Sequence, residues 1–265
     1  MGKSFFGNMA SVFRDIYDNR IILSAMIKRT TAGRYKSSAL GFAWHMLAPV
    51  LTILVLYLVF TTIRVRPIQD FWIYLCAGMF PVSFMSGCLK GRAILNNASF
   101  ITKMKFPREI VVIADTAMQM LSVVIVYLAV IIVILSYGNP MDWGAALMVP
   151  VMLFVMFVFG LGCSFLVSTV CVFLRDVGHF MSIAMRLVVW ITPTFFMASE
   201  TTGLLKTLVW YNPFTYFVEV FHSLIYYSTM PDMSQVLLCC ILAVSMFFIG
   251  WAVFEHYKKR LPEVL

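Results

Sequence analysis

"AALMVPVMLFVMFVFGLGCSFLVSTVCVFL", residues 145–174, runs for thirty positions without an Asp, Glu, Lys or Arg. A bilayer core about 30 Å thick is crossed by about 20 apolar residues rising ~1.5 Å each. The stretch reads as a membrane-spanning helix with length to spare for a tilt or for a kink near Gly160 and Gly162.

The rest of the chain shares this character. Of its 265 residues 62% are hydrophobic and 12% charged, and the mean hydropathy is +0.91. Soluble domains carry about 25% charged residues. The composition describes an all-α integral membrane protein with little length left for a soluble domain. No GxxxxGK[ST] phosphate loop occurs, so any energy from nucleotide hydrolysis has to come from another subunit. The first fifteen residues lack the continuous apolar core and small-residue cleavage site of a secretory signal, and the N-terminus is expected to stay attached. Cys76, Cys88, Cys163, Cys171, Cys239 and Cys240 lie in apolar runs without CxxC spacing and read as small core residues. The four histidines fall in four separate segments and make no metal-ligand pattern.

Further apolar runs cover residues 39–63, 71–89, 110–137, 180–198 and 236–254, which with 145–174 makes six spans. Ahead of them, Phe5, Phe6, Met9, Val12, Phe13, Ile16 and Tyr17 gather on one helical face opposite Lys3, Ser11, Arg14 and Asp18. That pattern is an amphipathic helix, lying on a membrane surface or packed on protein. Residues 204–227 are apolar but broken at Asn212-Pro213, leaving halves of 204–211 and 213–227. Neither half is long enough to cross, so a re-entrant hairpin fits better than one kinked span.

Cation counting orients the spans. Sixteen of the twenty Lys and Arg fall in the N-terminal segment, the loop from Lys90 to Arg108, Arg175 and the tail. Cytoplasmic loops carry that excess, so both termini are expected inside, which an even number of spans satisfies. Three pieces follow: an interfacial segment 1–38, a membrane domain 39–254 holding a loop 90–109 and an outer hairpin 204–227, and a basic tail 255–265.

No set of acids, nucleophiles or metal ligands converges for catalysis. Asp115 and Arg186 are charges inside spans, each costly at mid-bilayer; either they pair or Arg186 faces a polar pathway. The loop "NNASFITKMKFPREI", residues 96–110, carries Phe100, Ile101 and Met104 among cations, which suggests apolar residues exposed to dock into a partner's groove, or anchored among lipid headgroups. Most tryptophans sit near span ends as interfacial belt residues. Trp44, Tyr57, Trp190, Phe195 and Phe196 are also able to stack on sugar rings if their faces converge.

Five segments together resemble the permease subunits of ABC-2 type exporters of lipid-linked polysaccharides, including O-antigen, capsule and teichoic acid exporters. They are "KRTTAGRYKSSALGFAWHMLAPVL", "NNASFITKMKFPREI", "VFLRDVGHF", "WITPTFF" and "YNPFTYFVEVF", in that order along nearly the whole chain. The resemblance implies a homodimer bound to two copies of a separate ATP-binding subunit, which would hold ATP and Mg, in the inner membrane. It implies that Asn96, Asn97, Phe100, Ile101, Lys103, Met104, Lys105, Phe106, Pro107 and Arg108 form the coupling helix and its flanks. Arg34, Tyr35, Lys36, Leu40 and Gly41 would stand at the channel entrance, where an undecaprenyl-pyrophosphate end arrives. The first and fifth spans would line the channel, with Trp44, Tyr57, Arg186, Trp190, Phe195 and Phe196 as lining candidates. Arg186 departs from the uncharged residue expected there. The basic "RYKSS" and the tail are closer to the O-antigen branch than to the capsule branch. An integral-membrane glycosyl- or acyltransferase is the alternative from another class, and a scaffolding subunit a third.

Overall fold

The computed structural model describes residues 17–35, 43–63, 68–103, 106–136 and 142–265, and all its regular elements there are helical. They are α1 (Arg20–Tyr35), α2 (Ala43–Ile63), α3 (Phe71–Lys90), α4 (Ala93–Asn96), α5 (Ala98–Lys103), α6 (Glu109–Ser136), α7 (Trp143–Phe173), α8 (Asp176–Ile191), α9 (Gly203–Tyr211), α10 (Pro213–Phe221), α11 (Met233–Tyr257) and α12 (Leu261–Val264). Among the described residues α3, α6, α7 and α11 are long and apolar enough to cross a membrane, and α2 carries a shorter apolar run, Val50–Thr62. The amphipathic stretch expected before Tyr17 lies outside the described residues.

Local chemistry sets the ends of these helices. The Asp142 carboxylate accepts from the Ala145 N–H at 3.1 Å and starts α7. Asp232 does the same for α11, and the backbone N–H and hydroxyl of Ser234 hold its carboxylate below the usual range. Asn212 accepts from the Phe214 N–H at 3.1 Å, with Pro213 at the first helical position of α10, where a missing N–H costs nothing. The break expected at Asn212-Pro213 is thus a pair of helices that meet at a cap.

The fifth span differs from expectation. It was expected over residues 180–198, but α8 ends at Ile191. Pro193 disfavours helical backbone in the residue before it, and Thr192 is extended at φ −74°, ψ 137°. The chain then turns, the Thr194 N–H donating to the Thr192 carbonyl at 2.7 Å. The following residues return over the bundle, and Phe196 accepts from the buried Tyr74 hydroxyl at 2.7 Å.

The bundle is built around α7, which packs most extensively on α11. Two glycines allow the approach. A Cβ on Gly162 would lie 2.4 Å from the Met246 carbonyl oxygen, and one on Gly250 would lie 2.0 Å from the Gly162 carbonyl oxygen. Small residues let membrane helices bring their backbones together, where dispersion and weak polar contacts replace a hydrophobic driving force. Gly160 serves α3 in the same way, seating the Phe84 ring. The helix is continuous through both expected kink positions. All six cysteines are free; five are buried and Cys240 half-buried.

The long helices alternate in direction. At one end the α3 start, the α8 end, α10 and the turn after it come together, joined by the Tyr74–His222 stack and the Tyr226 to Gln69 hydrogen bond. We call this the hairpin end. At the other, the loop end, the α6 start meets the α11 end through Glu109 and Lys258. The N-terminal α1 and the C-terminal α12 both lie at the loop end, where Met26 and Leu261 share a core with Ile94 and Ile101. A larger core fills the rest of the bundle.

Candidate functional site at the loop end

The segment joining α3 to α6 begins where Gly91 turns extended after Lys90. Asn97 links two short helices. Its side-chain amide donates to the Ala93 carbonyl at 2.9 Å, and its backbone carbonyl accepts from the Phe100 and Ile101 N–H groups. One residue therefore closes α4 and opens α5. Asn96 beside it is exposed.

Burial along this segment runs against the expectation of an apolar face turned outward. Ile101 is 5% exposed and sits in the loop-end core with Ile94, Ile110, Phe165, Trp251 and Phe254, while Phe100 and Phe106 are half-buried against it. The apolar residues anchor the loop to its own bundle because α1 and α12 supply the other wall. Of the apolar residues expected to face a partner, Phe100 remains partly open. The side chain of Lys103 and the whole of Met104 and Lys105 lie outside the described residues. Pro107 and Arg108 are half-buried and start α6 through the Ile110 and Val111 N–H groups.

The C-terminal tail closes the segment. Glu109 is fully buried, and the Lys258 ammonium donates to its carboxylate. The Arg108 guanidinium donates to the Lys258 carbonyl, and Glu255 lies 3.7 Å from the same ammonium. Truncating one partner of a buried ion pair strands the other and costs about 3–5 kcal/mol, so this lock fixes the loop against α11. Residues 255–265, expected as a basic tail, are part of the fold at this end: Leu261 is fully buried.

Where α3 ends, a cavity of about 250 Å³ is lined by Gly87, Lys90, Gly91, Arg92, Asn96, Asp115 and Gln119. Asp115 accepts from the Gln119 amide at 2.9 Å and stands level with Gly91, whose Cβ would meet it at 3.5 Å. It is close to the end of the bundle and not at its middle. Arg186 is exposed on α8, and no ion pair joins it to Asp115 among the described residues. The Arg92 guanidinium lies over the first turn of α8, where a Cβ on Gly178 would come within 2.4 Å of its Nε.

The entrance candidates are only partly within reach. Arg34 and Tyr35 close the last turn of α1, their side chains outside the described residues together with the Trp44 side chain. Lys36, Leu40 and Gly41 lie outside as well. Of the lining candidates, Tyr57 is 37% and Trp190 58% exposed, whereas Phe195 is 5% exposed. Phe195 stacks on Phe60 at 5.8 Å and packs against Trp190 at 5.1 Å, which makes it a core residue with no open face; Phe196 is half-buried. Trp251 departs from the belt pattern too, being buried edge-on against Phe165.

Two features escaped the sequence reading. The packing of α1 on α6 has a signal in Ile22, Leu23, Met26 and Ile27, which recur on one helical face. The Glu109–Lys258 pair spans 149 positions and has no local signal.

Residues 22–226 match a family described as ABC-2 type transporter. The chain is 23% identical over 259 residues to an O-antigen export system permease protein from Myxococcus xanthus, covering 96% of this chain and 99% of that protein. Two proteins of the same description from Klebsiella pneumoniae are 23% and 24% identical, each alignment covering 88% of this chain and 90% of the relative.

Proposed function

The chain belongs to the ABC-2 type transporter family, as a multi-pass permease of an ABC exporter, and we propose that it moves an undecaprenyl-pyrophosphate-linked polysaccharide, an O-antigen first among these, across the cytoplasmic membrane. The observation that carries the substrate is end-to-end similarity to permeases described by O-antigen export. In this reading two copies form the channel, two ATP-binding subunits drive it, and both termini face the cytoplasm with the loop end.

Mechanically, closure of the ATP-binding subunits pushes on α4 and α5. Ile101 and the Glu109–Lys258 lock support this role, because they tie the loop to α6 and α11 and leave little slack between push and bundle. Arg34 and Lys36 meet the pyrophosphate as it arrives, a dianion or more that suits charge-assisted hydrogen bonds.

Deleting the gene tests the proposal. Finished lipid-linked glycan should accumulate inside the cell and surface glycan should disappear, with both restored by the intact chain. Incomplete glycan would instead indicate a transferase and overturn the export reading. Replacing Arg34 and Lys36 with Gln should lower export while membrane protein levels hold.

A further inference from the structure

Two glycines one helical turn apart clear a space where α3 ends. A Cβ on Gly87 would fall 1.8 Å from Gln119 Oε1, and one on Gly91 would lie 3.5 Å from Asp115 Oδ2. The missing carbons leave room for both α6 side chains, and the cavity of about 250 Å³ there takes Lys90 and Arg92 from the α3 side and Asp115 and Gln119 from α6. Lys90 and Arg92 are half-buried, and Asn96, which also lines the cavity, is exposed, so the space reaches the surface. Lys90 is the last residue of a 20-residue apolar helix. At ~1.5 Å per residue such a helix spans a hydrocarbon core about 30 Å thick, which puts the cavity at the level of the lipid headgroups.

The cations of this site gather without acids to match them. Neither Lys90 nor Arg92 has an ion pair among the described residues. The Arg92 guanidinium is seated on Gly178 of α8, and Arg186, exposed on the same helix, is within electrostatic reach of Lys90. Like charges held together call for an anion. The cavity's own walls set two cations against the one carboxylate of Asp115, a net single positive charge that one phosphodiester neutralises. A phosphomonoester or a pyrophosphate brings a second negative charge toward Asp115. A choline or ethanolamine headgroup brings one more cation among Lys90, Arg92 and Arg186.

We propose that this cavity holds the headgroup of an anionic phospholipid of the surrounding bilayer, its single phosphodiester on Lys90 and Arg92 and its headgroup hydroxyls at the Asn96 amide. Basic pockets between transmembrane helices at the membrane surface bind anionic headgroups in this way. The lipid bridges the end of α3 and the start of α8 and is a second tie at the loop end, in addition to the Glu109–Lys258 lock. The site concerns the bilayer and does not depend on what the permease transports.

Native mass spectrometry of the purified full-length chain tests the site without any partner subunit or export. The probes are dioleoyl phosphatidylglycerol, dioleoyl phosphatidylethanolamine and undecaprenyl phosphate, of which the first should bind tightest. Arg92→Gln and Lys90→Gln should each weaken it about fivefold, the share of one cation near an anionic headgroup, while melting in lipid-free detergent stays as in the parent chain. Gly91→Val fills the cavity without altering its charge and should weaken the same lipid. Lys206→Gln removes an exposed cation at the hairpin end and should change nothing, which separates the site from general surface charge. Equal binding of the ethanolamine lipid, undiminished binding by Arg92→Gln, an equal loss with Lys206→Gln, or a preference for undecaprenyl phosphate, which would mark a carrier site, each overturns the proposal.

Discussion

The two ends of this bundle are held by different physics. At the loop end a fully buried carboxylate, one lysine and a small core gather pieces from both ends of the sequence and from the segment between α3 and α6. At the hairpin end neutral hydroxyls reach backbone carbonyls, Tyr74 to Phe196 and Tyr226 to Gln69, inside a stack of aromatic rings. An ion pair concentrates the holding energy in one removable contact, whereas the aromatic end spreads it over many. The loop end is therefore the end that one substitution can release.

The largest expected effect strikes both ends together. Gly162→Val places carbon against the backbone of α11, where neither partner can move aside, and the cost exceeds the ~1–3 kcal/mol of ordinary overpacking. Size-exclusion profiles in detergent should show loss of the monodisperse species; a normal profile would mean that the α7–α11 seam does not hold the ends together. Next comes Lys258→Ala, which strands the buried Glu109 at about 3–5 kcal/mol. Hydrogen exchange should rise across 93–112 and stay level across 213–226, and Glu109→Gln combined with Lys258→Met should recover most of the loss. Equal loosening at both ends would erase the contrast.

Tyr74→Phe removes the hydrogen bond to the half-buried Phe196 carbonyl, worth about 0.5–1.5 kcal/mol, with exchange rising at the hairpin end alone. The smallest change is Asp232→Ala, which removes an exposed cap from α11. It should lower the melting temperature by less than any of the others and leave the Glu109–Lys258 lock intact.

Much of this architecture is written in residue order. The long helices and the Asn212-Pro213 break follow from apolar length and proline chemistry, which act within a few positions. The early end of α8 was also legible, since Thr192 precedes a proline, but the apolar residues that follow disguise it. Burial of Ile101 was not legible: "NNASFITKMKF" looks like an exposed amphipathic turn until α1 and α12 arrive from the two ends of the sequence. His222 shows the same limit. Its neighbours Tyr74 and Gly78 sit on another helix, and only folding brings them against the lone histidine.

The close seam between Gly162 and Gly250 also bears on how the protein is made. Synthesis runs from the N-terminus, and domains form in that order, so α7 enters the membrane while the helix that will cover Gly162 is still unmade. Gly250 lies on α11, and Lys258 and Leu261, which complete the loop end, follow it in the chain. The seam and the loop end thus form only after α11 has been made. A chain stopped before α11 would leave the Gly162 face of α7 uncovered and Glu109 unmatched, two defects that membrane quality control can recognise.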